Sequence, residues 1–384
     1  MLALRLARRG QPLVQLRRLL VAAASAGTGF LLLCTLGYAL AHPEASATSA
    51  LRLAWCVVPL AATVYFAVAV ARTDPATRPR AGLTAVGLGP GGLLALSVMT
   101  TALSTVLGSL TALLAFFHLR GNLTALPLNG TAAGFLAADR PLPLPATLTL
   151  LALTPITASA ATALTLHARY GEPRRGSRPA TEPAPGPEPS TPSGLPWGAA
   201  LLAAGLAVEA YGSRSGRPPA LSGGTAGALA GWALTAIGLA MAGPAITYAC
   251  GRLLQAARPG ALRLLAGRVL QTEARRIGRP LGVVCAVASG TYAMAALYAG
   301  TRPTFGPLTT IGVLVVAGCA VLTLLTAAVE ARQERADTTA ALLRLGAPAS
   351  ALRNAAALRT AALLTVFTPL TWLVAALAAL PLTT

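Results

Sequence analysis

The residues with the greatest scope for chemistry in this chain lie in residues 329–353, a charged segment between two uncharged runs. Acidic and basic side chains alternate at the start of this segment, namely Glu330, Arg332, Glu334, Arg335 and Asp337. Long uncharged runs lie on both sides, and a charge at the centre of a bilayer costs about 2.5–3.5 kcal/mol. The segment is therefore expected to lie outside a membrane that both neighbouring runs enter.

A helix is expected to position these charges. After Thr338 the apolar residues recur on one helical face, at Ala341, Leu342, Leu345 and Ala349. Spacings of this kind are typical of a helix with a single apolar stripe. The pattern predicts a short surface helix that is ended by Gly346 and Pro348.

This segment resembles the coupling segment of FtsX-like ABC transporter permeases. The resemblance rests on three stretches: Arg332-Gln-Glu-Arg335, Ala341-Leu342-Leu343-Arg344-Leu345-Gly346-Ala347 and Leu352-Arg353. The family's Arg-Glu pair corresponds to Arg335-Ala-Asp337, and Arg344 lies one place nearer the glycine than in the family pattern. The resemblance implies a coupling helix that docks into a groove of a separate ATPase. The alternative is a solvated cytoplasmic loop.

A weaker copy of the segment occurs earlier in the chain. Leu88-Gly89 aligns with Leu345-Gly346 at an offset of 257 residues, and Arg78 then falls on Arg335. Residues 24–28 likewise echo residues 287–291, so two related halves are predicted. By resemblance, the residues that couple to the ATPase are Arg332, Glu334, Arg335, Asp337, Leu342, Leu343, Arg344, Leu345 and Gly346, and in the first half Arg80, Leu83, Val86, Leu88 and Gly89.

Composition identifies the broad class of protein. Of the 384 residues, 55% are hydrophobic and 11% are charged, which is typical of a polytopic membrane protein. The net charge of +19 comes from thirty basic residues, all of them Arg, which lie in short loops beside apolar runs. The positive-inside rule explains this charge better than a nucleic-acid partner does.

The absence of Lys has a consequence for ATP binding. A P-loop of the form GxxxxGK[ST] requires a Lys, so this chain is not expected to be an ATP-hydrolysing enzyme of that type. ATP and Mg are expected in a partner ATPase subunit, present in two copies by resemblance. No cofactor is expected in this chain.

The apolar runs predict an all-α fold with about nine membrane-spanning helices. These spans are 19–41, 52–71, 93–117, 144–168, 196–211, 224–250, 281–300, 307–329 and 352–382. The predicted organisation is a first FtsX-like half at 1–170, a Pro-rich cytoplasmic linker at 171–194, two connecting spans at 195–250, a basic amphipathic cytoplasmic segment at 251–280, and a second half at 281–384. The first span could also be a signal peptide, but its apolar run is too long for an ordinary one.

The distribution of Arg predicts the orientation. Most Arg lie in segments that are on the inner side if the N-terminus is cytoplasmic. The composition, rich in Ala, Leu, Gly, Pro and Arg, indicates a GC-rich bacterial genome. The expected location is therefore the bacterial cell membrane, with lipid as a surrounding partner.

The spans contain few groups that could do chemistry. Ionisable residues lie only at the predicted span ends: His118, His167, Glu209, Arg353 and Arg359. Ion-coupled carriers and intramembrane hydrolases need such groups inside, so both are disfavoured. The five Cys lack CxxC spacing and are expected to pack as apolar residues.

By resemblance, the function is that of an ABC transporter permease subunit that couples ATP hydrolysis by the partner to export or flipping of an amphipathic substrate, such as an antibiotic, peptide or lipid. No predicted outer loop exceeds about 25 residues, so transport within the bilayer is favoured over delivery to a periplasmic adaptor. One alternative is a non-transporting transducer that controls a cell-wall hydrolase or a sensor kinase. A carrier that works without ATP is a second.

Overall fold

The structure is a computed structural model that describes residues 2–73, 90–121, 136, 140–171, 194–214, 224–256, 260–297, 307–346 and 348–383. Nearly all of these residues are α-helical, and no β-strand occurs among them. The prediction of an all-α fold is confirmed. The helices are α1 (Leu2–Ala41), α2 (Ser46–Trp55), α3 (Val57–Thr73), α4 (Pro90–Arg120), α5 (Leu144–Gly171), α6 (Leu195–Arg214), α7 (Gly224–Ala256), α8 (Ala261–Leu297), α9 (Pro307–Arg344) and α10 (Ala349–Thr383).

Seven stretches of the described chain are long and apolar enough to cross a membrane. They are Val14–Ala41, Ser46–Thr73, Gly91–Arg120, Leu144–Ala168, Leu229–Ala256, Leu308–Ala336 and Ala349–Ala379. This agrees with a polytopic membrane protein. The other two predicted spans are also helical, but the apolar stretch Leu195–Tyr211 is short, and residues 281–297 continue a helix whose first half is charged.

The described helices pack as two compact units. Unit 1 consists of α1 to α5 and the first part of α9, up to Cys319. In this unit α1 packs against α3, α4 and α5, and α4 packs against α5. The core lies between α1, α4 and α5 and buries Leu33, Cys34, Ala112, Phe116, Leu136 and Leu151. The rings of Phe30 and Phe116 meet edge to face, with their centroids 6.4 Å apart.

Small hydroxyl side chains link the helices of unit 1. The Ser25 hydroxyl on α1 donates to the Thr105 carbonyl on α4 at 2.8 Å. The Thr28 and Thr63 hydroxyl oxygens lie 2.8 Å apart and join α1 to α3, and the Thr63 oxygen lies 3.9 Å from Cys319 Sγ on α9. Hydrogen bonds of this kind hold helices together where lipid offers no hydrophobic driving force.

Unit 2 consists of α6, α7, α8, α10 and the part of α9 from Ala320 onward. α7 packs along both α6 and α8, and α10 packs mainly on α8. The core buries Leu239, Cys285, Ala286, Phe367 and Val374.

Glycines allow the helices of unit 2 to approach closely. A Cβ added at Gly238 on α7 would lie 2.6 Å from the Leu202 nitrogen and 2.8 Å from the Gly198 oxygen on α6. On the other side of α7, a Cβ at Gly251 would lie 2.8 Å from the Gly267 oxygen on α8. Backbones this close leave no room for side chains, which is the packing that small residues permit in membranes.

The basic segment 251–280, predicted as one amphipathic helix, is divided between two helices. Residues 251–256 form the end of α7, and residues 261–280 form the first half of α8, which continues through Pro280 into the next predicted span. The Gln271 amide donates to the Gln255 side-chain oxygen at 3.3 Å. Because these two helix ends pair with each other, the segment extends the α7–α8 hairpin.

The unit boundaries also differ from the predicted halves. Unit 2 includes α6, α7 and the first half of α8 besides the helices of residues 281–384, while the start of α9 belongs to unit 1. One parallel between the predicted halves is visible, since α1 packs extensively on α4 and α8 packs extensively on α10. These are the first and third spans of each predicted half.

Candidate functional site: the charged extension of α9 and its turn

The charged segment is a direct extension of α9. The helix is uncharged from 307 to 329 and then continues from Glu330 to Arg344 without a break. This extension is about 22 Å long at 1.5 Å per residue. The predicted surface helix from Thr338 is therefore its last part rather than a separate element. The physical reason is that residues 330–345 contain neither Gly nor Pro, and many of them are good helix formers.

The extension ends in a glycine turn. The Leu345 N–H donates to the Ala341 carbonyl at 3.1 Å, and the Gly346 N–H donates to the Leu343 carbonyl at 3.1 Å. Gly346 has a φ of 89°, in the left-handed region where a Cβ would be strained. α10 then begins at Ala349. The sequence correctly predicted that the helix stops at this glycine.

Three side chains next to the turn are exposed. Leu345 is 84% exposed and Leu343 is 46% exposed, and Arg344 between them is also exposed. Leu342 is half-buried. We refer to Leu343, Arg344 and Leu345 as the α9 tip. The tip carries two exposed leucines and one positive charge, at the end of a helix that extends beyond its uncharged stretch.

Two of the predicted docking charges are engaged within unit 2. Arg335 Nε lies 2.9 Å from Glu273 Oε1 on α8 and also donates to the Ala331 carbonyl at 2.9 Å. Glu334 forms an ion pair with Arg276, also on α8. Both ion pairs connect the α9 extension to α8.

The two ion pairs differ in their surroundings. The Glu334 and Arg276 side chains are about two-fifths exposed, so their pair contributes little to stability. The Glu273 side chain is only 14% exposed. Burial raises the pKa of the Glu273 carboxyl above its usual range, although Arg335, Arg359 and Arg276 act in the opposite direction. Desolvation thus outweighs the attraction of three cations.

The other predicted docking residues lie as follows. Arg332 is exposed on the extension. Asp337 lies within α9, but its side chain is outside the described part of the structure. The first-half residues Arg80, Leu83, Val86, Leu88 and Gly89 lie outside the described residues altogether.

Sequence reasoning missed Glu273 and Arg276, the partners of the extension on α8. A signal was present, because Glu273 is the only acidic residue in the segment 251–280 among seven Arg. Spacing alone could not show that it faces α9, since that contact depends on how the helices pack. Arg359 on α10 was expected only to end a span, yet it interacts electrostatically with Glu273 and Arg335.

Other kinds of site find little support in the described chain. Its His, Cys, Asp and Glu side chains form no group of three that could hold a metal ion. All five Cys are buried and free. On α6, one carboxylate oxygen of Glu209 is buried without a hydrogen-bond partner among the described residues. The α9 extension with its tip is therefore the candidate functional site.

No protein-family model, curated protein or solved structure matches this chain.

Proposed function

We propose that this protein is the permease subunit of an ABC transporter and that its α9 tip docks into a groove of a separate ATPase. The observation that carries the proposal is the exposure of Leu345 and Leu343 at the end of a helix that extends beyond its uncharged stretch. Exposed apolar side chains grouped at a helix end are a typical part of a protein-interaction surface. An amphipathic helix end that inserts into a groove is a common mode of recognition.

The geometry supports a mechanical role for the extension. An unbroken helix moves as one body, so a displacement of the tip is transmitted to residues 330–335. The ion pairs of Arg335 and Glu334 would then pass that displacement to α8. Closure of an ATPase dimer by ATP and Mg would in this way shift α8 together with α9.

The substrate that we propose is amphipathic and enters from the bilayer. The connection from α1 to α2, which lies on the outer side when the N-terminus is cytoplasmic, is only a few residues long, which leaves no room for a domain there. We propose that the substrate is exported or flipped directly within the membrane of a bacterial cell, with the N-terminus in the cytoplasm.

The test is purification of the tagged chain from its own host in mild detergent, followed by identification of the proteins that accompany it. We expect a P-loop ATPase with the wild-type chain. Leu345→Asp should reduce its recovery at least about tenfold, because a carboxylate in an apolar groove costs more than 1.4 kcal/mol.

The matched control is Leu253→Asp, which alters another exposed leucine near a helix end and should leave ATPase recovery unchanged. Recovery of no ATPase with the wild-type chain would overturn the proposed function. An ATPase retained by Leu345→Asp would overturn docking through the tip. A cell-wall hydrolase or sensor kinase recovered together with the ATPase would favour the transducer.

A further inference from the structure

Three helices of unit 2 carry charges where their uncharged stretches end. α8 is uncharged from 280 to 297, α9 from 307 to 329, and α10 from 360 to 379. Each stretch is about 18–23 residues long, close to the roughly 20 that cross a bilayer. The charged residues just outside the stretches of α8 and α9 meet in two ion pairs, and α10 packs on α8. This cluster therefore lies at the level of the lipid headgroups.

Positive charge exceeds negative charge in this cluster. Within residues 273–279 and 330–335, together with Arg353 and Arg359, the chain has seven Arg and three Glu. Some of these side chains are exposed and solvated. The excess matters where side chains are partly buried, because water cannot compensate a charge there.

The excess of positive charge matters most at Arg359. This half-buried residue is the last charge before the uncharged stretch of α10. The charged groups that act on it are Arg335, a second cation, and Glu273. Glu273 is already paired with Arg335 at 2.9 Å, and burial works against its negative charge. Arg335 is thus the ion-pair partner of Glu273, and Arg359 is a second cation that acts on the same carboxylate without an ion pair to it.

We propose that Arg359 and Arg335 bind the phosphate of an anionic phospholipid at the membrane surface. Guanidinium groups bind phosphate through paired hydrogen bonds, and two of them can hold one phosphate between them. Basic clusters between helices at the membrane surface are a typical place for lipid headgroups. A lipid fits the position because Arg359 directly precedes the apolar stretch of α10, along which acyl chains would lie.

This inference goes beyond the proposed function and does not depend on an ATPase. The full chain is purified in neutral detergent and stripped of lipid. The midpoint of thermal unfolding is then measured after addition of phosphatidylglycerol, phosphatidylcholine or inorganic phosphate at equal phosphate concentration. We expect phosphatidylglycerol alone to raise the midpoint and to remain bound in native mass spectrometry.

The decisive variant is Arg359→Gln, which should reduce the phosphatidylglycerol shift at least about fivefold through loss of the paired hydrogen bonds. The matched control is Arg353→Gln, which removes an exposed arginine from the same helix and should keep the full shift. Equal shifts with both lipids, or an unchanged shift in Arg359→Gln, would overturn the proposal. The same shift with inorganic phosphate would show a free-anion site instead of a lipid site.

A second measurement uses the wild-type chain, so it does not require a variant to fold. Phosphatidylglycerol with a photoactivatable group in its headgroup is cross-linked, and the labelled peptides are identified. Labelling should concentrate on peptides that contain Arg359 or residues 330–335. Labelling confined to other helices would contradict the site.

Discussion

At the scale of single residues, Glu273 is an acidic group on which three cations converge. Arg335, Arg276 and Arg359 all favour its negative charge, yet burial raises the pKa of its carboxyl above the usual range. An acid with a raised pKa binds its proton more tightly in the folded protein than in the unfolded chain. The contribution of Glu273 to the free energy of unfolding is therefore fully present below the unfolded pKa of about 4.3. It is lost as the pH rises through the folded pKa.

The raised pKa of Glu273 leads to a first prediction. Glu273→Gln mimics the protonated carboxyl, so its thermal stability at pH 7 should equal or exceed that of the wild-type chain. The wild-type chain should become more stable relative to Glu273→Gln as the pH is lowered from 7 to 5. Unfolding midpoints measured in detergent across this range test both statements.

The comparison variant is Arg335→Gln, which leaves the carboxylate of Glu273 buried with fewer cations nearby. It should lose about 1–3 kcal/mol of stability at pH 7, the cost of a buried polar group without its partner. Should Glu273→Gln be the less stable of the two variants, attraction would outweigh desolvation at this position.

The sequence allowed only part of this arrangement to be predicted. The charges of Glu334 and Arg335 predict a segment outside the hydrocarbon because the cost of a charge at the bilayer centre can be assigned from residue type. Their partners on α8 depend on which helix faces lie together. In the sequence, the charged stretches of α8 and α9 are separated by apolar runs, so their ion pairs cannot be predicted from it.

At the scale of helices, the packing of unit 2 depends on where backbones approach each other. Gly198 and Gly205 on α6 lie seven residues apart, as do Gly231 and Gly238 on α7, and the two pairs face each other. A spacing of seven returns to the same helix face after two turns. Such contacts are expected to be sensitive to any added side chain.

We expect Gly238→Val to cost about 1–3 kcal/mol, since overpacking displaces neighbours and the neighbours here are backbone atoms of Leu202 and Gly198. The measurement is the midpoint of thermal unfolding. Gly227→Ala on the same helix is the control. A Cβ at Gly227 meets nothing within 4 Å, so this variant should be neutral or slightly stabilising through helix propensity. Equal midpoints for the two variants would contradict the close contact.

Close glycine contacts also explain why the segment 251–280, predicted as one interface helix, forms part of the α7–α8 hairpin. Seven Arg interleaved with Leu indicate an amphipathic helix. That pattern does not show that Gly251 and Gly267 bring α7 and α8 together. Whether a glycine allows two helices to approach closely depends on the residue that faces it. That residue lies on another helix and cannot be identified from the sequence of one segment.

At the scale of the whole molecule, the number of membrane crossings depends on α6 and α8. Both run beside α7, which is itself long and apolar enough to cross. α6 follows it from Gly198 to Gly205, and α8 follows it from Gly278 to Gly290. Helices that lie along the same apolar part of α7 are expected to cross with it, which gives the nine crossings predicted from the sequence.

Cysteine labelling from outside intact cells distinguishes nine crossings from seven. The native Cys are first replaced by Ser or Ala, and Ser215→Cys and Gly260→Cys are made one at a time. With nine crossings and the N-terminus inside, an impermeant maleimide should label the cysteine at position 215 and not the one at position 260. If α6 and α8 do not cross, the result is reversed. Thr384→Cys should be labelled in either case and serves as the control.

The division of α9 between the two units bears on how the protein is made. Chain synthesis starts at the N-terminus, so α1 to α5 enter the membrane before Val315 and Cys319 exist. At about 5–20 residues per second, the delay is on the order of 10 s. During that time Gly27 lacks the Val315 side chain that lies beside it in the finished unit 1. Unit 1 can therefore be completed only after α6, α7 and α8 have been made.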